Sequence, residues 1–254
     1  MYLKVFGLHN PFFSIVIPTL NSFKSLERCL LSLCNQYLSD YEVLILDGGS
    51  DDNTFQIVKD LQNSGFKQIK WFQNSDLGVY DAMNRGLREA KGKWIYFLGS
   101  DDWLYENHTL ESVSVALSNT HFNVAYGDVL IHGDSDWAKD QEIYAGEFDV
   151  FRMLKKNICH QSIFYKREFL NFHHIQFDLS YPINSDWDFN LKCCAKTKFI
   201  YLNKIIANFS SGGLSTNSKF KDSFFEEIPI KYKQLFPSKF RVFAWNLKNK
   251  ILNI

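Results

Sequence analysis

The chain has 254 residues, of which 46% are apolar and 22% charged, and its formal net charge is zero. That is enough chain for one sizeable globular domain with or without an appendage, and the balanced charge gives no electrostatic footprint for general nucleic-acid binding. The five cysteines (Cys29, Cys34, Cys159, Cys193, Cys194) form neither CxxC units nor zinc spacing, and no apolar stretch reaches membrane-span length, so reduced, mostly buried thiols in a cytoplasmic protein are expected.

Residues 12–17 form an apolar run closed by Pro18 and predict a first strand. The turn Pro18-Thr19-Leu20-Asn21-Ser22 follows, and Asn21 or Ser22 can cap a helix beginning near Phe23. In that helix Leu26, Cys29, Leu30 and Leu33 recur on one face. Residues 42–46 predict a second strand, which runs into Asp47-Gly48-Gly49-Ser50-Asp51-Asp52-Asn53-Thr54 and a helix with Ile57, Val58 and Leu61 inward. Residues 69–72 predict a third strand, 77–90 a helix with Val79, Met83 and Leu87 inward, and 94–98 a fourth strand. Alternating strand and helix implies a parallel sheet with right-handed crossovers. Its loops then meet at one edge. Gly48 and Gly49 permit close backbone approach or positive φ. There is no GxGxxG and no GxxxxGK[ST], which disfavours a dehydrogenase-type dinucleotide site and a P-loop. Asp47, at a strand end, can accept from a base N–H or a ribose hydroxyl, or can serve simply as a turn residue.

The fourth strand, Trp94-Ile95-Tyr96-Phe97-Leu98, breaks at Gly99-Ser100 and ends in the doublet Asp101-Asp102. Buried strands do not carry unpaired acids, so the doublet belongs at the strand's C-terminal end, where open α/β sheets bind ligands. Two readings stand at this level. The pair can hold a hard divalent cation such as Mg²⁺ or Mn²⁺, or it can be an acidic turn leading into the next helix.

Leu110, Val113 and Leu117 predict a helix, residues 124–131 a strand, and 141–145 its hairpin partner across the turn-rich Gly133-Asp134-Ser135-Asp136. Residues 159–165 predict a strand opening on Cys159 and His160, and a single His there is either a structural hydrogen-bonder or a functional group. Ser185-Asp186-Trp187-Asp188-Phe189 opens a helix containing Leu191 and Cys194, where an Asp usually serves as a cap. Residues 205–209 predict an edge strand leading to Gly212-Gly213-Leu214-Ser215, a turn or a mobile lid. Residues 236–254 interleave Lys239, Arg241, Lys248 and Lys250 with Phe240, Phe243, Trp245, Leu247 and Ile251, without an acid. Such a segment can lie on an anionic membrane face or pack on the core as a helix.

Four blocks carry a family resemblance: Ser14-Ile15-Val16-Ile17-Pro18-Thr19-Leu20-Asn21, Glu42 through Thr54, Gly78-Val79-Tyr80-Asp81-Ala82-Met83-Asn84-Arg85-Gly86, and Phe97-Leu98-Gly99-Ser100-Asp101-Asp102. In order and spacing they closely resemble the family 2 glycosyltransferases of bacterial polysaccharide synthesis, such as that of O-antigen or capsule. The resemblance implies an α/β GT-A fold, a mostly parallel mixed sheet flanked by helices, over residues 1–235. Residues 12–104 would form the nucleotide-sugar half, 105–235 the acceptor half, and 236–254 a tail. It implies a nucleotide-diphosphate sugar as donor, with a UDP-hexose or UDP-N-acetylhexosamine foremost. Thr19 and Asn21 match nucleotide contacts, and Asp47 the acid that meets the base. Asp76, Tyr80, Asp81 and Asn84 fall in the segment lining base, ribose or sugar. Asp101 matches a contact to the ribose or the metal hydration shell, and Asp102 the metal carboxylate. Gly99 stands where relatives commonly carry a further Asp. Asp186 matches the catalytic base, with Ser185 replacing the family's preceding Glu. His160, Gln161, Trp187 and Asp188 fall in the region of sugar or acceptor. The implied acceptor is a glycan, free or on a polyprenyl diphosphate, which would bring the protein to the cytoplasmic membrane face through its tail.

One base and no placeable protein nucleophile predict a single displacement with inversion, the base taking the acceptor proton and a cation offsetting charge on the leaving diphosphate. Asp188 is the next candidate for the base, but it lies about 200° around the helix from Asp186, so the two do not share the role. Two other classes compete. A sugar nucleotidyltransferase would carry a Gly- and Arg/Lys-rich first loop, which Pro18–Ser22 is not. A non-catalytic nucleotide-sugar binder would lack the doublet or the base, and both are present.

Overall fold

The computed structural model describes residues 10–118, 121–135, 137–144, 146–213 and 222–237, apart from the Tyr232 side chain. In the first half, β1 (Phe13–Thr19), α1 (Leu26–Cys34), β2 (Tyr41–Asp47), α2 (Thr54–Asn63), β3 (Ile69–Gln73), α3 (Val79–Glu89) and β4 (Trp94–Phe97) alternate as the sequence predicts. The second half adds β5 (Trp103–Leu104), α4 (Thr109–Ser118), β6 (Val124–His132), β7 (Ile143–Tyr144), α5 (Val150–Met153), a 3₁₀ turn at His160–Ser162 and β8 (Ile163–Lys166). It ends in α6 (Arg167–His173), α7 (Ser185–Cys194), β9 (Phe199–Ser210) and α8 (Phe224–Leu235).

Among the described residues the strands form one mixed sheet in the order β3-β2-β1-β4-β8-β6-β9-β5, with β7 paired to β6. β3, β2, β1 and β4 are mutually parallel, β8 is antiparallel to both β4 and β6, and β9 runs parallel to β6. Helices cover both faces, as buried strands of this kind require. Alternation along β1 and β2 sorts the core. Phe13, Ile15, Ile17, Val43 and Ile45 pack with Leu26, Leu30 and Leu33 of α1 and Leu110 and Val113 of α4. Val16, Leu44 and Leu46 pack with Met83 of α3 and, through Phe97 and Tyr165, with Phe189 of α7.

Pro18 sits inside a central strand without loss. The even-numbered residues of β1 face β4, as the bond from the Leu98 N–H to the Val16 carbonyl shows, and β4 ends its pairing at Val16. The missing N–H therefore falls where no ladder continues.

Several expectations are corrected. α1 begins at Leu26 rather than near Phe23, because the Ser22 carbonyl accepts from the Ser25 and Leu26 N–H groups after an intervening turn. Asn21 is no cap: it takes a left-handed φ of 49° and its Oδ1 accepts from the Asp51 N–H at 3.0 Å. Residues 160–162 are a 3₁₀ turn instead of strand, with the Ser162 N–H and hydroxyl both on the Cys159 carbonyl. The strand expected at 205–209 is the end of the longer β9, which is not an edge, since β6 and β5 flank it. Cys34 is exposed. The 141–145 hairpin strand forms as β7, with Tyr144 opposite Val129. Ser211 and Gly212 form a turn, while Leu214 and Ser215 lie outside the described residues, as does the expected tail beyond Pro237. No helix among the described residues is long and apolar enough to cross a membrane.

Candidate active site

β1, β3 and β4 end at one edge of the sheet, and the loops after them form one wall of a cleft of about 1170 Å³. The 3₁₀ turn at His160–Ser162, the start of α7 and the start of α8 form the facing wall. Of the residues singled out in the sequence, Thr19, Asn21, Asp76, Tyr80, Asp101, Asp102, His160, Gln161, Asp186 and Trp187 all line this single cavity.

The doublet lies at its floor. Asp102 is 1% exposed. Its Oδ2 accepts from Gln161 Nε2 and its Oδ1 from the Ser210 N–H, each at 2.8 Å. Burial, and after it the adjacent Asp101 charge, push Asp102 up to about 7. Burial also raises Asp101. Arg28 does not neutralise the pair directly, because its guanidinium donates to the Asp101 carbonyl at 2.8 Å while stacked 3.7 Å from the Trp103 ring. A buried and a half-buried carboxylate with unspent oxygen lone pairs, the buried one oriented by two donors, suit a hard divalent cation. The chemistry of the donor set thus fits the Mg²⁺ or Mn²⁺ that the sequence implies. Among the described residues no group of three or more His, Cys, Asp and Glu forms a cage, so diphosphate oxygens and water would complete the coordination.

Gly99 has a steric reason. A Cβ there would lie 2.4 Å from Asp102 Oδ2 and 2.9 Å from Asp101 Oδ1. The doublet's own carboxylates fill the space that a side chain at this position would take. Gly48 repeats the pattern, since a Cβ on it would lie 2.9 Å from Asp76 Oδ2. Asp76 is raised by burial and sits 3.6 Å from Arg85.

Asp186 reaches the cleft from the first turn of α7, whose cap position is Asn184. Its Oδ1 accepts from the Trp187 N–H at 2.8 Å and lies 3.2 Å from Tyr80 Oη, whose shorter bond, 2.6 Å, goes to the Ile183 carbonyl. Its Oδ2 accepts from Asn157 Nδ2 at 2.9 Å and lies 3.4 Å from His160 Nδ1. Tyr80, stacked on Phe177, thereby ties the donor-side helix α3 to α7. The Trp187 indole donates to the Met153 carbonyl at 2.6 Å.

Four expected site residues are kept out of the cleft. Asp47 is fully buried and turns back to accept from the Gly49 and Ser50 N–H groups and the Ser50 hydroxyl, so it shapes the loop after β2. Asp81 accepts from the Leu77 N–H at the start of α3. Asn84 is buried and brackets Phe177, donating to its carbonyl and accepting from its N–H at 2.9 Å each. Asp188 is fully buried between Lys192 and Lys231, 2.6 Å from each, and joins α7 to α8. Ser185, at the family's Glu position, is also buried, and its hydroxyl has no hydrogen-bond partner among the described residues. Gln161 lines the cleft, but its amide is spent on Asp102.

Asn157, Ser210, Trp137, Asp222 and Phe225 also line the cleft. No local pattern marked them, because they arrive from separate parts of the chain: the loop before β7, the loop after α5, the end of β9 and the start of α8. Asp222 accepts from the Ile183 and Asn184 N–H groups and so fixes the entry to α7.

Comparison with known proteins agrees with this geometry. The family model described as Glycosyl transferase family 2 matches residues 14–180. A "PGL/p-HBAD biosynthesis glycosyltransferase" of Mycobacterium tuberculosis is 36% identical over 225 residues, 87% of this chain and 85% of that protein. The poly(ribitol-phosphate) beta-N-acetylglucosaminyltransferase TarP of Staphylococcus aureus is 25% identical over 89% of this chain and 72% of its own. Among solved structures, S. aureus TarS 1-349 in complex with UDP-GlcNAc superposes with a TM-score of 0.69 at 22% identity, covering 88% of this chain and 66% of that one. A Pyrobaculum calidifontis mannosyltransferase in complex with GDP-Man and Mn²⁺ gives 0.63 at 16% identity, over 82% of this chain and 59% of that one. These structural likenesses establish the GT-A fold, and the family match together with the mycobacterial relative shows that the chain belongs to glycosyl transferase family 2.

Proposed function

We propose that this glycosyltransferase moves a hexose or N-acetylhexosamine from a UDP-sugar to a glycan or lipid-linked acceptor in bacterial glycan synthesis, with inversion at the anomeric carbon. The observation that carries the proposal is the meeting of Asp101-Asp102, from the loop after β4, and Asp186, from the first turn of α7, in one cleft. Relatives support the substrate class: one carries UDP-GlcNAc in its structure, and a Campylobacter jejuni relative, 29% identical over 61% of this chain, is a GalNAc(5)-diNAcBac-PP-undecaprenol beta-1,3-glucosyltransferase. A lipid-linked acceptor would place the protein at the membrane face, with residues 236–254 as the contact.

Thr19, Asn21, Asp76 and Tyr80 hold the donor against the β1 and α3 loops. Asp102, with Asp101 beside it, would hold a divalent cation, whose chemistry is to offset the charge gathering on the leaving diphosphate. Asp186 takes the proton of the acceptor hydroxyl as its oxygen bonds to the anomeric carbon and the carbon–oxygen bond to the diphosphate breaks. No second carboxylate is committed to a nucleophilic role, so the displacement is single and inverting.

The test is a panel of nucleotide sugars screened for thermal stabilisation with Mn²⁺ and for UDP release, followed by NMR assignment of the product anomer. Asp186→Asn is expected to abolish transfer while UDP binding persists. Near wild-type turnover in that variant, or retention of the anomeric configuration, refutes the mechanism.

A further inference from the structure

A directed chain of hydrogen bonds ends on Asp186. Tyr165, in the middle of the sheet on β8, donates its hydroxyl to Asn190 Oδ1 at 2.6 Å. Asn190 Nδ2 donates to Asn157 Oδ1 at 2.8 Å, and Asn157 Nδ2 donates to Asp186 Oδ2 at 2.9 Å. Tyr165 and Asn190 are 1% and 0% exposed. Asn190 lies one turn after Asp186 on α7 and shares its face, while Asn157 comes from the loop between α5 and the 3₁₀ turn.

Each orientation in this chain is forced. An ionised carboxylate only accepts, so Asn157 must present its NH₂ to Asp186 and its carbonyl to Asn190. Asn190 must then present its NH₂ to Asn157, which leaves its carbonyl for Tyr165, and the phenol can only donate. No amide in the chain can flip without breaking two bonds. Burying the Asn190 amide and the Tyr165 phenol is costly unless each group is satisfied, and an apolar core of the same volume would avoid the cost. The chain ends on Asp186, the carboxylate of α7 that lines the cleft.

We propose that Asn157 and Asn190 are positioning residues for Asp186, joined to Tyr165 in a one-way relay that fixes the acceptor-activating carboxylate from the centre of the sheet. The relay holds Asp186 in a single rotamer and supplies its ionised form with a donor from behind. The proposal rests on Asp186 being the base. It goes beyond that assignment by naming the groups that hold the base in place: Tyr165 and Asn190 are buried behind it, and Asn157 meets it at the cleft wall with its amide.

The experiment measures UDP release from whichever nucleotide sugar of the panel above turns over, alongside UDP affinity and melting temperature. The variants are Asn157→Ala, Asn157→Asp, the double variant Tyr165→Phe/Asn190→Leu, and Asp186→Asn. For Asn157→Ala a fall in kcat of roughly tenfold or more is expected, within the range that general-base catalysis supplies. Donor KM and UDP affinity stay within about twofold, since no donor contact is lost. Asn157→Asp keeps the volume but turns a donor into a like charge, and a larger fall is expected; should Asn157→Ala fail to fold, this variant carries the same test. The double variant removes the upstream half and leaves Asn157 Oδ1 without its donor, and a fall in kcat without a change in UDP affinity is again expected. Unchanged kcat in both Asn157 variants beside an inactive Asp186→Asn overturns the relay alone. Parallel losses of kcat and UDP affinity overturn it too, because they mark general damage to the cleft. An active Asp186→Asn overturns the base assignment and the relay with it.

Discussion

Placing an acid at position 99, where the family resemblance implies one, is expected to harm this protein. The Gly99 backbone does not have positive φ, so alanine is conformationally acceptable there and the effect isolates packing. The new Cβ would stand 2.4 Å from Asp102 Oδ2 and 2.9 Å from Asp101 Oδ1. Asp102 cannot swing aside cheaply, because Gln161 and the Ser210 N–H pin both of its oxygens. Overpacking of this kind costs about 1–3 kcal/mol, against about 0.4–1 kcal/mol regained from the stiffer unfolded chain. A net loss of about 1–2 kcal/mol corresponds to a melting temperature about 2–8 °C lower for a domain of this size. Gly99→Asp adds a third carboxylate, and at about 4 Å with an effective dielectric of 20 each like-charge pair costs about 4 kcal/mol. That variant should therefore lose more stability than Gly99→Ala and regain part of it with Mn²⁺. The assay is thermal unfolding of wild type, Gly99→Ala and Gly99→Asp, each alone, with UDP, and with UDP and Mn²⁺. An unchanged melting temperature in Gly99→Ala, or a Gly99→Asp variant no less stable than Gly99→Ala without metal, refutes the steric argument.

Three further outcomes are expected. Asp102→Ala should weaken Mn²⁺-supported UDP binding while leaving metal-free UDP binding nearly unchanged; equal titration curves with and without Mn²⁺ in wild type and variant would count against Asp102 as the ligand. Asp188→Asn, which leaves Lys231 and Lys192 without their buried counter-charge, should cost about 3 kcal/mol in urea unfolding, and a loss under 1 kcal/mol would show that the α7–α8 contact does not depend on it. Burial alone would raise Glu42, but hydrogen bonds from Lys70, Ser14 and the Lys91 N–H hold it below its ordinary value. The stability it contributes is present above the unfolded carboxylate pKa and is lost as pH falls through the folded one, so Glu42→Gln should flatten the decline in melting temperature between about pH 5 and 3; an unaltered slope would refute that account.

The sequence by itself determined the alternation of strands and helices in the first half and the strand-end loops that carry Thr19, Asn21 and Asp101-Asp102. Those features are local: apolar runs, turn residues and helical spacing are set within a dozen residues, and a parallel sheet follows from their order. It also marked Asp186 through a family pattern, although its helix-start position alone read as a cap. What it could not determine is which polar groups face one another across the sheet. Asp47 closes β2 and Asp76 stands in the loop after β3 at the same edge, yet loop N–H groups capture one and the space above Gly48 admits the other to the cleft. Asp186 and Asp188 are two residues apart on one helix, and only docking of α7 on α8 decided that Asp188 pairs with Lys231 while Asp186 faces the cavity. The relay from Tyr165 through Asn190 and Asn157 joins a strand, a helix and a loop that no sequence spacing connects. Long-range burial made those decisions, because a polar side chain's role depends on whether its partner is water, a neighbouring donor or a substrate, and only the tertiary packing chooses among them.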